Sequence, residues 1–257
     1  MKTKFVNSPD GIQLAYDQQG TGPAIILVHG GGSDRQVWHE IGYIERLHKA
    51  FTVITFDLRG HGESSLPTDP EYYTSYKMGE DILTVASACG VEKFILWGMS
   101  YGGKVNRYVA SRSNRVEKCI IMGIPMGPGV TDKMRQDIED FCEHWTPILG
   151  AQSDGMLEPY SLSEEDREFL RDFNVPVIMA WGQAMLHWKS VEPADFLCPT
   201  LWLIGSEDQP AMDSFGKHEK SLKGSNVQYH IFEGLNHVQV LEEIDKVFPV
   251  MLAFTQK

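Results

Sequence analysis

The chain has 257 residues, 42% of them hydrophobic and 23% charged, with a net charge of −12. That length suits one large domain, or one domain with an insertion. The negative balance argues against nucleic acid, whose binding rests on Lys and Arg neutralising phosphates. It also disfavours a strongly anionic substrate or membrane surface, while leaving a local basic pocket open.

The opening stretch MKTKFVNSPDGIQLAY has lysines but no apolar core of signal-peptide length before Asp10. Within it, GIQLAYDQQG begins to alternate and predicts part of an antiparallel hairpin at a sheet edge. Five runs are nearly continuous in apolar residues, as strands buried on both faces of a parallel sheet should be. They are AIILV (Ala24 to Val28), FTVITF (Phe51 to Phe56), FILWG (Phe94 to Gly98), KCIIMGI (Lys118 to Ile124) and PTLWLIG (Pro199 to Gly205). A weaker run, VQYHIF (Val227 to Phe232), adds another strand.

Between the runs lie helical patterns. Tyr76 to Ala88 spaces Met78, Ile82, Val85 and Cys89 helically, and Gly90 suits its C-terminal cap. Gly102 to Ser111 carries Val105, Tyr108 and Val109 on one side. From Pro125 to Cys198 no strand is evident. Helices are predicted there over Thr131 to Trp145, Ser161 to Phe173 (Ser163 capping, Glu164 and Asp166 in the first turn) and Val177 to Val191. Val238 to Phe254 closes the chain as an amphipathic helix despite Pro249. The expected fold is α/β: a doubly wound, mostly parallel sheet of about eight strands with an inserted helical cap. Residues 1–124 and 199–257 would form the core, and 125–198 a cap packed over the sheet's carboxyl edge. No segment has the uncharged apolar length to span a bilayer. Cys89, Cys119, Cys142 and Cys198 are scattered without zinc spacing, which reads as free thiols in a reducing cytoplasm.

One stretch, FILWGMSYGG, carries G-x-S-x-G around Ser100. The pentapeptide is weak by itself, because a glycine-rich chain produces it by chance; its position gives it weight. Ser100 falls where an apolar strand ends and a helical pattern begins, so its side chain projects at the sheet's carboxyl edge, where open α/β sheets bind ligands. A serine hydroxyl needs a base and a group to orient that base. Among nine histidines, His237 lies after the last strand and before the final helix, at the same edge. For the acid, GSEDQP follows PTLWLI: Asp208 is the choice, with Glu207 beside it the competitor. Backbone donors for a developing oxyanion would be the amides of Tyr101, just after the serine, and Gly31 in the VHGGG loop.

These pieces resemble the α/β-hydrolase superfamily: HGGG (His29 to Gly32), FDLRGHGESS (Phe56 to Ser65), GMSYGG (Gly98 to Gly103), NRV (Asn114 to Val116), GSED (Gly205 to Asp208) and NH with Glu242 beyond. The resemblance covers nearly the whole chain. It implies a Ser-Asp-His triad, a backbone oxyanion hole and no cofactor. It disfavours members with an aspartate nucleophile, such as haloalkane dehalogenases and epoxide hydrolases, because Ser100 occupies that place. Asn236 before the histidine and Asn106 on the serine helix depart from the commonest pattern, and neither is expected to touch the chemistry.

His61 and Arg59 tempt as a catalytic patch but read as a structural loop, with Asp57 and Arg59 satisfying nearby backbone groups. His29 is expected to fix its own loop. His144 and His187 read as surface or pocket-lining residues. Trp181, Met185 and Trp188 recur at i, i+4 and i+7, and with Trp145 they form either cap packing or a substrate pocket wall. The primary expectation is a serine hydrolase, carboxylesterase-like, cleaving an ester of a small or medium apolar substrate through an acyl-enzyme. Alternatives keep the triad for lactones, perhydrolysis or C–C bonds, or use the pocket as a small-molecule receptor with little turnover. The expected partner is a small-molecule substrate, with no nucleic acid, membrane or metal, and the chain acting as monomer or homodimer.

Overall fold

The computed structural model describes residues 2–154 and 162–256. Eight strands form one sheet: β1 (Lys4–Asn7), β2 (Gln13–Gln19), β3 (Ala24–Val28), β4 (Thr52–Phe56), β5 (Phe94–Met99), β6 (Val116–Met122), β7 (Thr200–Gly205) and β8 (Val227–Phe232). Their order is β1-β2-β4-β3-β5-β6-β7-β8. β1 and β2 pair antiparallel and β2 meets β4 antiparallel; every other pairing is parallel. The sheet is therefore the doubly wound, mostly parallel one that the near-continuous apolar runs require.

Those runs feed two cores. Along β3, Ile25 and Leu27 enter one core while Ile26 and Val28 enter the other. β5 does the same, with Phe94 and Leu96 on one face and Ile95, Trp97 and Met99 on the opposite one. This period-2 division calls for apolar residues on both faces of the central strands. The edge strand β8 differs: Gln228, Tyr229 and His230 are exposed.

On one face of the sheet lie the short α1 (Val37–Glu40) and α2 (Tyr43–Leu47) with the C-terminal helices α9 (Gln239–Glu242) and α10 (Ile244–Thr255). The other face carries α3 (Ser75–Ala88) and α4 (Tyr101–Ala110). Between β6 and β7 lie α5 (Asp132–Ser153), α6 (Glu164–Asp172) and α7 (Val175–Met185). α8 (Gln209–Leu222) follows β7.

Four boundaries differ from expectation. α5 runs on through Pro147 to Ser153, well past Trp145, and Thr131 is its N-cap. α6 begins after Ser163, whose Oγ accepts from Asp166 N; the expected start at Ser161 lies outside the described residues. α7 starts earlier, capped by Asn174, and stops at Met185, so Trp188 is off the helix and the i+7 stripe is not realised. The expected C-terminal helix breaks at Glu243, whose ψ of 58° is non-helical. The break lets Val240, Leu241, Val247 and Met251 share one core, while Pro249 is held inside α10.

The FDLRGHGESS loop after β4 is a knot of buried charge. Asp57 accepts the backbone amides of Arg35 and Glu63 at 2.8 Å each and pairs with the Arg35 guanidinium. Arg59 does not mainly serve backbone groups, contrary to expectation. It meets Asp81 of α3 at 2.6 and 2.7 Å and Asp10 at 2.9 Å, and donates once to a carbonyl, that of Tyr72. Arg59 and Asp81 are both fully buried, so removing Asp81 leaves the buried guanidinium with the partly exposed Asp10 as its one remaining counter-charge. Asp81→Ala is expected to lose about 3 kcal/mol of stability, read as a lower urea midpoint with an unchanged slope.

Candidate active site

The chain passes from β3 outward to β4 and then back across to β5 on the other side of β3. That reversal opens a crevice at the carboxyl ends of β3 and β5, and Ser100 and the glycine loop flank it. Ser100 has φ 52°, and no other non-glycine among the described residues has positive φ. The strain is imposed by a turn packed too tightly for side chains on its other members. A Cβ on Gly98 would collide with Asn106, and one on Gly102 with the carbonyls of Val28 and His29.

Asn106 is fully buried beneath this turn. With its amide oriented to satisfy both neighbours, its oxygen accepts from Gly98 N at 2.7 Å and its nitrogen donates to Gly102 O at 3.1 Å. The departure from a small apolar residue is thus a strut across the serine turn. Asn106→Leu removes both side-chain bonds from the turn and is expected to cost about 1–3 kcal/mol. Thermal unfolding reads the loss, and slower labelling of Ser100 by a fluorophosphonate reads the loosened turn.

β7 and β8 deliver the other two residues. Gly205 ends β7 where a Cβ would collide with Leu235 O, so the two loops lie in contact. Ser206 N donates to Phe232 O at 3.0 Å and Glu207 N to Leu235 O at 2.9 Å, zipping the acid's loop to the histidine's. Asn236 holds the histidine turn: its Oδ1 accepts from Val238 N and Gln239 N, both at 3.0 Å. As a result His237 Nδ1–H donates to Asp208 Oδ2 at 2.7 Å, and Ser100 Oγ–H donates to His237 Nε2 at 3.1 Å. Asp208 is buried, whereas Glu207 is exposed. Of the two neighbouring acids, Asp208 is the one that meets the histidine. A hydroxyl bonded to an imidazole that is itself backed by a carboxylate can lose its proton as it attacks.

Gly30 passes close to the serine; a Cβ on it would stand 3.4 Å from Ser100 Cβ. A Cβ on Gly31 would stand 3.6 Å from Tyr101 Cβ. Neither Gly31 nor Tyr101 gives its amide to a described residue. His29 fixes the loop as expected: Nδ1–H donates to Gly30 O at 2.7 Å, and Nε2 accepts from Leu58 N at 3.0 Å. Burial and the neighbouring His61 pull its pKa down to about 3, so this imidazole is neutral.

A cavity of about 980 Å³ opens onto Ser100 and His237. Its walls are not the tryptophans suggested by the sequence. They come from the β6–α5 loop (Ile124, Met126, Pro128), from Met134 of α5 and from α8. Met185 is fully buried in the core, and Trp145 packs against Phe141 and Phe169 between α5 and α6. Trp188 stacks on Tyr101 and donates its Nε1 to Tyr73 O at 2.9 Å. Trp181 lies over the glycine loop, its ring 5.0 Å from Tyr101, and faces a second cavity of about 340 Å³ with Gly32 and His61. His144 bridges α5 to α6 through Asp166 at 2.8 Å, and His187 is exposed. All four cysteines are unpaired. Among the described residues no three His, Cys, Asp or Glu come together to hold a metal ion, and no helix is long and apolar enough to cross a membrane.

The family profile described as alpha/beta hydrolase fold matches residues 23–243. An AB hydrolase superfamily protein of Bacillus subtilis, YisY, is 26% identical over 277 residues, covering 98% of each chain. Epoxide hydrolase 3 of Siraitia grosvenorii is 28% identical over 126 residues, covering 47% of this chain and 39% of that protein. The match spans less than half the length of several such curated relatives. Among solved structures, a thermophilic esterase from Thermogutta terrifontis superposes with a TM-score of 0.76 at 23% identity, covering 100% of this chain and 98% of that one.

Proposed function

The chain belongs to the alpha/beta hydrolase fold family, and on that premise we propose that it is a serine hydrolase cleaving carboxylic esters of small or medium apolar substrates. The observation that carries this reading is the hydrogen-bonded chain Ser100–His237–Asp208, at 3.1 and 2.7 Å. His237 takes the Ser100 proton as Oγ attacks the ester carbonyl. The oxyanion that forms is met by the amides of Gly31 and Tyr101, neither of which is spent on a described residue. His237 then protonates the leaving alcohol, and a water activated by the same imidazole releases the acid from the acyl-enzyme. Asp208 holds the imidazole's tautomer and stabilises its charged form.

Residues 1–124 and 199–257 act as the catalytic core in this reading, with 125–198 as its cap. The cap's first loop and the start of α5 wall the cavity with Met126 and Met134, beside Ile124 of the core, which suits an apolar substrate body. Epoxide opening is the rival that the Siraitia relative brings forward. It is disfavoured because the nucleophile position holds a hydroxyl and not a carboxylate. A panel of p-nitrophenyl acetate, p-nitrophenyl butyrate, γ-butyrolactone and styrene oxide tests the assignment. Ester turnover with an initial burst of nitrophenol supports it, and turnover of the epoxide alone overturns it.

A further inference from the structure

Two buried cations stand on α4 with no acid against them, and one of them, Lys104, lines the Ser100 cavity. Lys104 lies one turn of α4 beyond Ser100, is 6% exposed and lines the same cavity. Its Nζ donates to Gly129 O at 2.8 Å, which leaves two of its three ammonium protons without a described acceptor. Arg107 is 1% exposed; Nη1 donates to Pro125 O at 2.6 Å, Nη2 to Pro128 O at 3.2 Å, and Nε finds no acceptor. The acid whose charge acts on Arg107 is Glu192, whose carboxylate is hydrogen-bonded to Ser190 and His218 instead.

Elsewhere the molecule neutralises such groups. Buried Arg35 meets Asp17, Asp57 and Glu63, and buried Arg59 meets Asp81 and Asp10. A buried cation without a counter-ion is costly, so its survival beside a substrate cavity is informative. The cost is visible in Lys104 itself: burial, with the charge of Arg107, pushes its pKa down to about 7.

We propose that the substrate brings the missing anion: the ester carries a carboxylate that Lys104 Nζ binds in the cavity wall while Ser100 attacks the ester carbonyl. This inference rests on the serine-hydrolase reading of the same site. The carboxylate is only gripped; no bond to it forms or breaks. The rest of the lining argues for a single carboxylate over a polyanion. Asp132, Asp137, Glu207, Asp208 and Asp213 belong to it, against Lys133, which is paired with Asp137, and Lys217. A chain of net charge −12 thus sets a buried ammonium group in the wall of this cavity.

The test compares anionic and neutral esters of matched shape on the wild type and on Lys104→Gln. One pair puts the carboxylate on the acyl side: mono-p-nitrophenyl glutarate against p-nitrophenyl pentanoate. The other puts it on the leaving group: 4-acetoxybenzoate against its methyl ester. We expect the wild type to favour the anionic member of one pair in kcat/KM by about tenfold or more, and Lys104→Gln to erase that ratio. A ratio near one in both pairs for the wild type overturns the inference, as does a preference that survives in the variant; Lys104 is then a staple for the 125–129 loop. Fluorophosphonate labelling of Ser100 in both proteins separates this failure from the other one. A wild type that labels and cleaves neutral esters while ignoring the carboxylate refutes only the anion site. A wild type that neither labels nor cleaves any of the four refutes the hydrolase reading and the anion site with it.

Discussion

Ser100→Ala lowers kcat/KM for p-nitrophenyl butyrate by about 10⁴–10⁶-fold and leaves the unfolding temperature almost unchanged. The first half of this expectation follows from the chemistry: without Oγ no acyl-enzyme forms. What remains is the background from positioned backbone amides and a histidine able to activate water, on the order of 10³-fold over the uncatalysed reaction. The second half follows from the local structure. Ser100 is the N-cap of α4, yet its side chain makes no capping bond, so the hydroxyl contributes nothing to the helix. Its only described side-chain hydrogen bond is the one to His237. The strained φ of 52° is held by the glycines and Asn106 around it, and alanine meets the same backbone cost as serine. Steady-state kinetics and a melting curve on one preparation check both halves. A variant with more than a tenth of wild-type activity, correctly folded, contradicts the mechanism.

Asp208→Asn carries the second largest effect, a loss of about 10³–10⁴-fold in kcat with little change in stability. Asp208 has two jobs on two oxygens. Oδ2 accepts from His237 Nδ1 at 2.7 Å, and Oδ1 accepts from Ala211 N at 3.3 Å as the cap of α8. Asparagine is as good an N-cap as aspartate, so the helix keeps its start. The amide cannot hold an imidazolium, however. If its NH₂ faces the ring it donates to Nδ1 and drives the proton to Nε2, the nitrogen that must accept from Ser100. Asp208→Ala removes both roles and adds about 1 kcal/mol of lost capping to the same catalytic defect. The contrast between the two variants, in kcat and in urea midpoint, separates the catalytic oxygen from the structural one.

Much of the fold could be read because its signals are local. Continuous apolar runs such as AIILV and FILWG divide between two cores, and only a parallel sheet covered on both faces needs that pattern. Ser100, Asp208 and His237 could be proposed together because each follows a strand, and parallel strands end at one edge. Geometry that depends on distant packing was not legible. The tryptophans of the 125–198 segment look alike in sequence. The fold sends Trp188 off its helix to stack on Tyr101, and encloses Trp145 between α5 and α6. The cavity wall is assembled from the β6–α5 loop and α8, segments nearly ninety residues apart that meet where Ser214 Oγ accepts from Met126 N. Lys104 and Arg107 pointed nowhere in the sequence, and Asn106 stood out there only as a departure from the commonest pattern, since polar residues on a helix are ordinarily solvated. Their roles follow from α4 being buried almost all round.

Treatment with a fluorophosphonate at pH 7.5, followed by intact mass and peptide mapping, asks whether the hydroxyl of Ser100 is an activated nucleophile. One adduct per chain is expected, located on Ser100 and absent from Ser100→Ala, with labelling slowed strongly in Asp208→Asn. A folded wild-type chain that takes up no label, or takes it at another residue, contradicts that reading.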